Sequence, residues 1–241
     1  ILHNGEGVVI CYNRFSNFWD AIGSGNDYPT RSVDVYNNLF TEINDNCYEA
    51  DYNDTNIRVF RNMCFNGSEP MSVQPLFGGP AYFIRNVLYN VRTPVKLKRA
   101  GGSPRANGVL YIHNTVITKG RPVECYSDRH IFNVYARNNL FVGHNKRGTT
   151  IDYGGRSLMV DCDYDYNIYI GGTRFARWNK KFYKTIEDFR KDTGQEKHGL
   201  RVESSKGVFK NCELPPAGLG DKNKFSDCTP VLDEKSPARD N

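Results

Sequence analysis

The chain has 241 residues, 39% of them apolar and 13% aromatic, and its 32 Lys and Arg outnumber 27 Asp and Glu for a net charge of +5. This is enough chain to bury one elongated core, and the mild basic excess admits an anionic polymer without requiring one. No basic run or nucleic-acid motif points to DNA or RNA, and no apolar stretch reaches membrane-spanning length, so neither nucleic-acid binding nor membrane insertion is expected.

In chain order, "CYNRF", "VYNNLF", "VFRNMCF", "FIRNVLY", "YIHNTVI", "ARNNLFV" and "YDYNIYI" repeat one pattern around Asn13, Asn38, Asn62, Asn86, Asn114, Asn139 and Asn167, at spacings of 25, 24, 24, 28, 25 and 28. A fixed period of this length is the mark of a repeat architecture. A short strand-like run precedes each Asn, a second apolar run follows it, and a third short run closes the unit, with Gly, Asn, Asp and Pro at the corners. Helical spacing is absent from these units. Three short strands per repeat predict an all-β parallel solenoid of about seven coils over residues 1–170, with coils stacked at roughly 4.8 Å. Alternation places Val8/Ile10, Val33/Val35, Ile57/Val59, Ala81/Phe83, Val109/Tyr111 and Val134/Ala136 inside. The recurring Asn is expected to take the left-handed corner geometry and to bond the Asn of the next coil. His113, which stands where Arg61 and Arg85 stand in their repeats, reads as a corner residue. "FGGP" reads as a tight corner, since no helix follows Gly78 and Gly79 to bind phosphate.

In the third run, alternation turns Tyr48/Ala50, Met71/Val73, Val95/Leu97, Val123/Cys125 and Thr149/Ile151 inward. That leaves Glu49, Asp51, Ser72, Gln74, Lys96, Lys98, Glu124, Tyr126, Thr150 and Asp152 in one outward row. A polymer lying along this face would meet all of them. Glu49 and Asp51 fall about 6.8 Å apart along one strand, a spacing that suits half of a calcium site completed by Gln74 and water. Lys96 and Lys98 lie two coils on. The same acidic pair satisfies the separation of roughly 5 to 9.5 Å that glycoside hydrolysis needs, with Asp20 one coil away and Glu124 with Asp152 as a second pair. Glu49, Asp51, Lys96 and Lys98 are thus the candidate catalytic residues, and Gln74, Glu124, Tyr126 and Asp152 the candidate substrate contacts. The other reading is a solvated strand face of ordinary Lys and Glu. Trp19 and Trp178 either stack on sugar rings or pack.

After about residue 170 the rhythm is lost, and residues 171–241 read as an irregular capping segment. Within it "TIEDFRKDTG" predicts a short helix, with Thr185 and Asp188 as a capping box and Gly194 as the stop. Outward Tyr82, Ile84, Leu110 and Ile112 are apolar, so the tail or a further domain is expected to cover them. Seven cysteines are an odd number. Cys11, Cys64 and Cys125 fall in coil strands as free thiols, while Cys212 and Cys228 in the tail are the expected bridge. No Cys or His spacing suits zinc. The chain starts inside a coil and stops at "SPARDN", from which a piece of a longer protein is expected.

The Asn-centred repeats, with "YEADYNDTNIRVFRN", "QPLFGGPAYFIRNVLYN", "KLKRAGGSPRANGVLYIHNT" and the terminal "SPARDN", resemble the right-handed parallel β-helix repeat family of the pectate-lyase-like superfamily, in particular its bacterial carbohydrate-active members. The resemblance covers most of residues 8–170. It implies a secreted, periplasmic or cell-surface monomer acting on a polysaccharide, either as a lyase or as a glycoside hydrolase. It is also compatible with a glycan-binding or adhesin-like solenoid without catalysis. The Glu49/Asp51 pair with Lys96 is similar to the acidic pair and Lys of calcium-dependent β-helix lyases, although here the Lys is not in the acidic strand and no Arg is placed as the acid.

Overall fold

A computed structural model describes residues 2–3, 5–24, 30–51, 55–74, 79–97, 107–118, 120–124, 130–143, 148–153, 158–212, 215 and 228–239. The fold is an all-β parallel solenoid with one short helix. Its first face runs through Val9–Cys11, Arg31–Tyr36, Thr55–Phe60, Ala81–Ile84, Asn107–Ile112 and Ile131–Arg137, and ends on Met159–Val160 and Asp163–Asp165. The second face runs from Arg14–Ser16 to Leu200–Val202 in eight parallel strands. Parallel pairing therefore continues beyond residue 170, since Ile168–Ile170 pairs with Leu200–Val202.

The winding amounts to about five turns, fewer than the seven anticipated. The third face is not one sheet. A five-stranded sheet ends at Val95–Leu97, and a separate sheet of Val123–Glu124, Thr149–Asp152, Arg174–Trp178 and Lys181–Tyr183 follows. The last pair in that sheet is antiparallel, which ends the parallel stacking of this face.

The inward residues named from alternation form one core, with Val33, Val35, Ile57, Ala81, Phe83 and Val109 fully buried and Val8 packed at its end. Aromatic rings stack along it in register, as at Tyr111, Phe141 and Tyr169. At one corner the asparagines form a continuous ladder. Asn62 donates from both its backbone N–H and its Nδ2 to Asn86 Oδ1, at 3.0 and 3.1 Å, and its Nδ2 also donates to Val35 O at 2.8 Å. The same bonding runs from Asn13 to Asn167. Each buried amide is thereby satisfied on both sides.

The left-handed geometry expected of these asparagines belongs instead to the residue before each. Tyr12, Asn37, Arg61, Arg85, His113, Asn138 and Tyr166 all have φ between 53° and 58°. The preceding residue makes the turn and its side chain splays outward, which leaves the Asn free to point into the ladder. His113 is accordingly a corner residue.

The ladder ends on Glu196, which is fully buried. Its Oε1 accepts from Asn167 Nδ2 and Tyr169 OH, both at 2.7 Å. A carboxylate fits the last rung because no further amide is there to receive a donated proton. The single helix, Ile186–Thr193, starts at Thr185, whose hydroxyl accepts from Asp188 N, and stops at left-handed Gly194. Ile186 and Phe189 bury its inner side. Trp178 packs against Phe189, Tyr153 and Tyr164 and is buried, so it is not available to a sugar.

Tyr82, Ile84, Leu110 and Ile112 are half-buried, and among the described tail residues none is in the apolar clusters on that face. Val208 and Phe209 pack instead on the outer side of the second face, against a cluster that includes Tyr89, Ile117 and Val142. Cys212 is disulfide-bonded, and Cys228 faces it in the antiparallel register of the tail strands. Cys11 and Cys64 are free, with Cys64 buried beside Cys47, while Cys125 lies outside the described residues. Among the described residues no helix is long and apolar enough to cross a membrane.

Candidate functional site

The third face brings Glu49, Ser72 and Lys96 into one register row, as alternation anticipated. Ala50, Val73 and Leu97 point into the core. The outward row is nevertheless not an open surface. Ser72 is fully buried, and Asp51, Lys96 and Asp152 are 7%, 8% and 5% exposed. At a coil spacing of roughly 4.8 Å each side chain is tiled against those of its neighbours, and charged partners fill the remaining access. Asp51 Oδ1 accepts from Ser72 Oγ at 3.1 Å and from the backbone N–H of Gln74 at 2.7 Å. Burial, then the charge of Glu49, pushes the Asp51 carboxyl up to about 7, against the opposing effect of Lys96 and these two donors. Glu49 is also raised, by burial and then by Asp20. Lys98 and Tyr126 lie outside the described residues.

The corner leading into this row supplies residues that alternation does not reveal. Asp45 N donates to Trp19 O at 2.8 Å and Glu69 N to Asp45 O at 2.9 Å, so Trp19, Asp45 and Glu69 stand on successive coils. Glu69 Oε1 takes Arg92 Nη2 at 2.7 Å and its Oε2 takes Lys96 Nζ at 3.4 Å. Asn46 ties the corner to the row, donating from Nδ2 to Asp20 Oδ1 at 3.1 Å and to Glu49 Oε1 at 3.0 Å. These residues enclose a recess of about 480 Å³ lined by Trp19, Asn44, Asp45, Ser68, Glu69, Arg92 and Lys96. Trp19 stands at its edge, 68% exposed. Burial raises Asp45 above the usual carboxylate range, with Lys96 and Arg92 opposing and Glu69 and Asp20 adding to the shift. Glu69, by contrast, is held between two cations. A signal for these residues was present in the sequence, because acids recur at 20, 45 and 69 with the ladder's own spacing.

Glu124 and Asp152 pair in register as a second site, on the separate sheet rather than in the recess. Arg121 Nη1 bridges them at 2.8 and 3.2 Å. Arg177 Nε reaches Asp152 Oδ1 at 3.0 Å as an ion-pair contact lacking hydrogen-bond angles. Burial raises Glu124, with Arg121 opposing. Two carboxylates locked by two guanidinium groups resemble a structural network more than a reactive pair. Gln74 contacts Asp51 through its backbone. Among the described residues no group of three or more His, Cys, Asp or Glu side chains is placed to hold a metal ion. The donors at Asp51 are a hydroxyl and an N–H, which suit an anion or a neutral carboxyl rather than a cation's coordination shell.

No family model, curated protein or solved structure matches the chain. The parallel β-solenoid is therefore established by the strand pairing itself, and the function has to be argued from the recess.

Proposed function

We propose that the protein is a carbohydrate-active β-solenoid whose third-face recess hydrolyses a glycosidic bond in a neutral, extended glycan. The observation that carries this reading is the pairing of an exposed Trp19 with two carboxylates on adjacent coils, Asp45 and Glu69. Among the described residues Glu69 is ion-paired through both oxygens and Asp45 through neither, an asymmetry that can divide acid from base. Asp45, favoured in its protonated form by burial, is the general acid to the leaving-group oxygen. Glu69, whose two oxygens face Arg92 and Lys96, is the base that takes a proton from water, or the nucleophile. Adjacent coils set the two backbones roughly 4.8 Å apart, which allows side-chain separations in the range of about 5 to 9.5 Å used by glycosidases. Trp19 offers an apolar ring face on which a sugar can stack.

Charge gives a polyuronate little purchase at this position. Among the described residues both cations lining the recess, Arg92 and Lys96, are engaged on Glu69, so neither is free to take a substrate carboxylate. The Lys96 ammonium is engaged on Glu69, which gives less support to its use as the proton-abstracting base of a lyase. The Cys212 disulfide supports an oxidising location, outside the cytoplasm or at the cell surface.

One observation favours a second reading, glycan binding without turnover: both Glu69 oxygens already have partners. The two readings separate on a panel of neutral and acidic polysaccharides assayed for reducing ends, for absorbance of unsaturated ends, and for retention in affinity gels. Hydrolysis predicts reducing-end release without unsaturation, lost by about 100-fold or more in Asp45→Asn and Glu69→Gln. Trp19→Ala should raise KM by roughly tenfold, the equivalent of about 1.4 kcal/mol. Retention without release in the parent protein would assign the recess to binding, and unsaturated products would assign it to a lyase.

A further inference from the structure

The corner between the first and second faces carries a feature that the fold itself does not require. One residue per coil adopts φ near 55° there, a conformation that Asn and Gly take readily and that other residues take at a cost. Only Asn37 and Asn138 follow that preference. The remaining corner positions hold Tyr12, Arg61, Arg85, His113 and Tyr166, all strained and all exposed. Backbone strain repeated at five positions, where a better corner residue exists and is used twice, indicates that these side chains are kept for what they present to solvent.

What they present is ordered. From Tyr12 to His113 each corner N–H bonds the last first-face carbonyl of the next coil, as Arg61 N does to Ile84 O at 3.0 Å and Arg85 N to Ile112 O at 3.0 Å, so the corner residues form a file along the solenoid. Arg61 and Arg85 are neighbours in it. Neither has an ion pair to a carboxylate among the described residues, whereas nearby Arg58 is paired with Asp34 and Arg137 with Asp163 and Asp165. Like charges on adjacent rungs oppose one another. The file is flanked by aromatic side chains, with Tyr12 75% exposed at one end and Tyr166, stacked on His198, 40% exposed at the other.

We propose that this ridge is a binding site for an acidic linear glycan, whose carboxylate groups sit on Arg61 and Arg85 while its sugar rings pack against Tyr12 and Tyr166. Unpaired cations on two adjacent coils call for anionic groups on adjacent sugar units, and a sugar ring in an extended chain advances by a distance close to the coil spacing of roughly 4.8 Å. Duplex DNA, with one charge per roughly 1.7 Å of axis, offers no such match. A protein partner is disfavoured by area: a file roughly 29 Å long and one side chain wide falls well short of the roughly 800 Å² per partner of a stable interface. The ridge lies on a different corner from the acidic recess, and the proposal does not depend on hydrolysis there.

The test is affinity electrophoresis and calorimetry of the whole chain with alginate, carboxyl-reduced alginate, polyphosphate and duplex DNA, repeated with Arg61→Asn/Arg85→Asn. Asn relieves the corner strain, so this double variant should unfold at the same temperature as the parent or higher while binding alginate at least tenfold more weakly. Tyr12→Ala should weaken alginate binding without changing its salt dependence. The proposal is overturned if the parent does not bind alginate, if carboxyl-reduced alginate, polyphosphate or DNA binds as tightly, or if the stable double variant binds alginate as the parent does.

Discussion

Asn86 accepts two hydrogen bonds at Oδ1 and donates two from Nδ2, to Val59 O at 2.9 Å and Asn114 Oδ1 at 3.0 Å. Truncation at this position strands donors of Asn62 and the Val59 carbonyl in a dry corner, so Asn86→Ala should destabilise the protein by at least about 2 kcal/mol in urea unfolding. Glu196 and Asp51 share a different property, a carboxyl that burial raises to about 7 in each case. Their folded-state pKa values lie above the unfolded ones, so the folded state holds the extra protons. The stability this contributes is complete below pH about 4 and is lost as pH rises through about 7. Thermal midpoints should accordingly fall between pH 5 and pH 8, and Glu196→Gln, which keeps the acceptor oxygen, should flatten that fall. An unchanged slope in Glu196→Gln would show that the end of the ladder does not titrate in this range.

At the level of elements, the short helix makes the clearest local prediction. Its first turn depends on the Thr185 hydroxyl, so Thr185→Ala should cost about 1 kcal/mol by chemical denaturation, and Thr185→Asp should retain most of the cap. This helix was legible from a cap, a capping acid and a stop glycine within ten residues, all of which act locally. The strands and the ladder were legible for another reason. A solenoid repeats the same environment, so the requirement for Asn at one corner is written once per coil. Two things were not written that way. Which of two adjacent residues carries the left-handed turn leaves no compositional trace when Tyr, Arg and His occupy the position. The burial of Asp51 depends on Ser72 and Gln74 of the next coil, and that of Lys96 on an ion pair with the corner residue Glu69, whereas strand alternation specifies only direction. Asp45, Glu69 and Arg92 sit outside the strands, where period-two reasoning has no purchase, and only their recurrence at the coil spacing could have marked them.

Across the whole molecule, charge is divided by face. Acidic groups gather in the third-face recess, and unpaired arginines stand on the corner between the first and second faces, so a net charge of +5 describes neither surface. The ladder itself also has a direction. Each amide donates from N–H and Nδ2 to the oxygen of the next Asn and, with its other Nδ2 hydrogen, back to a carbonyl of the preceding coil, and the column ends on an oxygen-only residue, Glu196. Erosion of the solenoid is therefore unequal at its two ends. Loss of the coil around Asn13 leaves Asn38 with an idle acceptor and one Nδ2 hydrogen that had Ile10 O, whereas loss of Glu196 leaves two donors of Asn167 and the Tyr169 hydroxyl without a destination, the larger loss. Shortened chains beginning at residue 30 should keep more of the parent's cooperative melting than chains ending at residue 194, as circular dichroism would record. A column of this kind can shed or gain coils at the end where its amides begin, and is held fixed at the end where they stop.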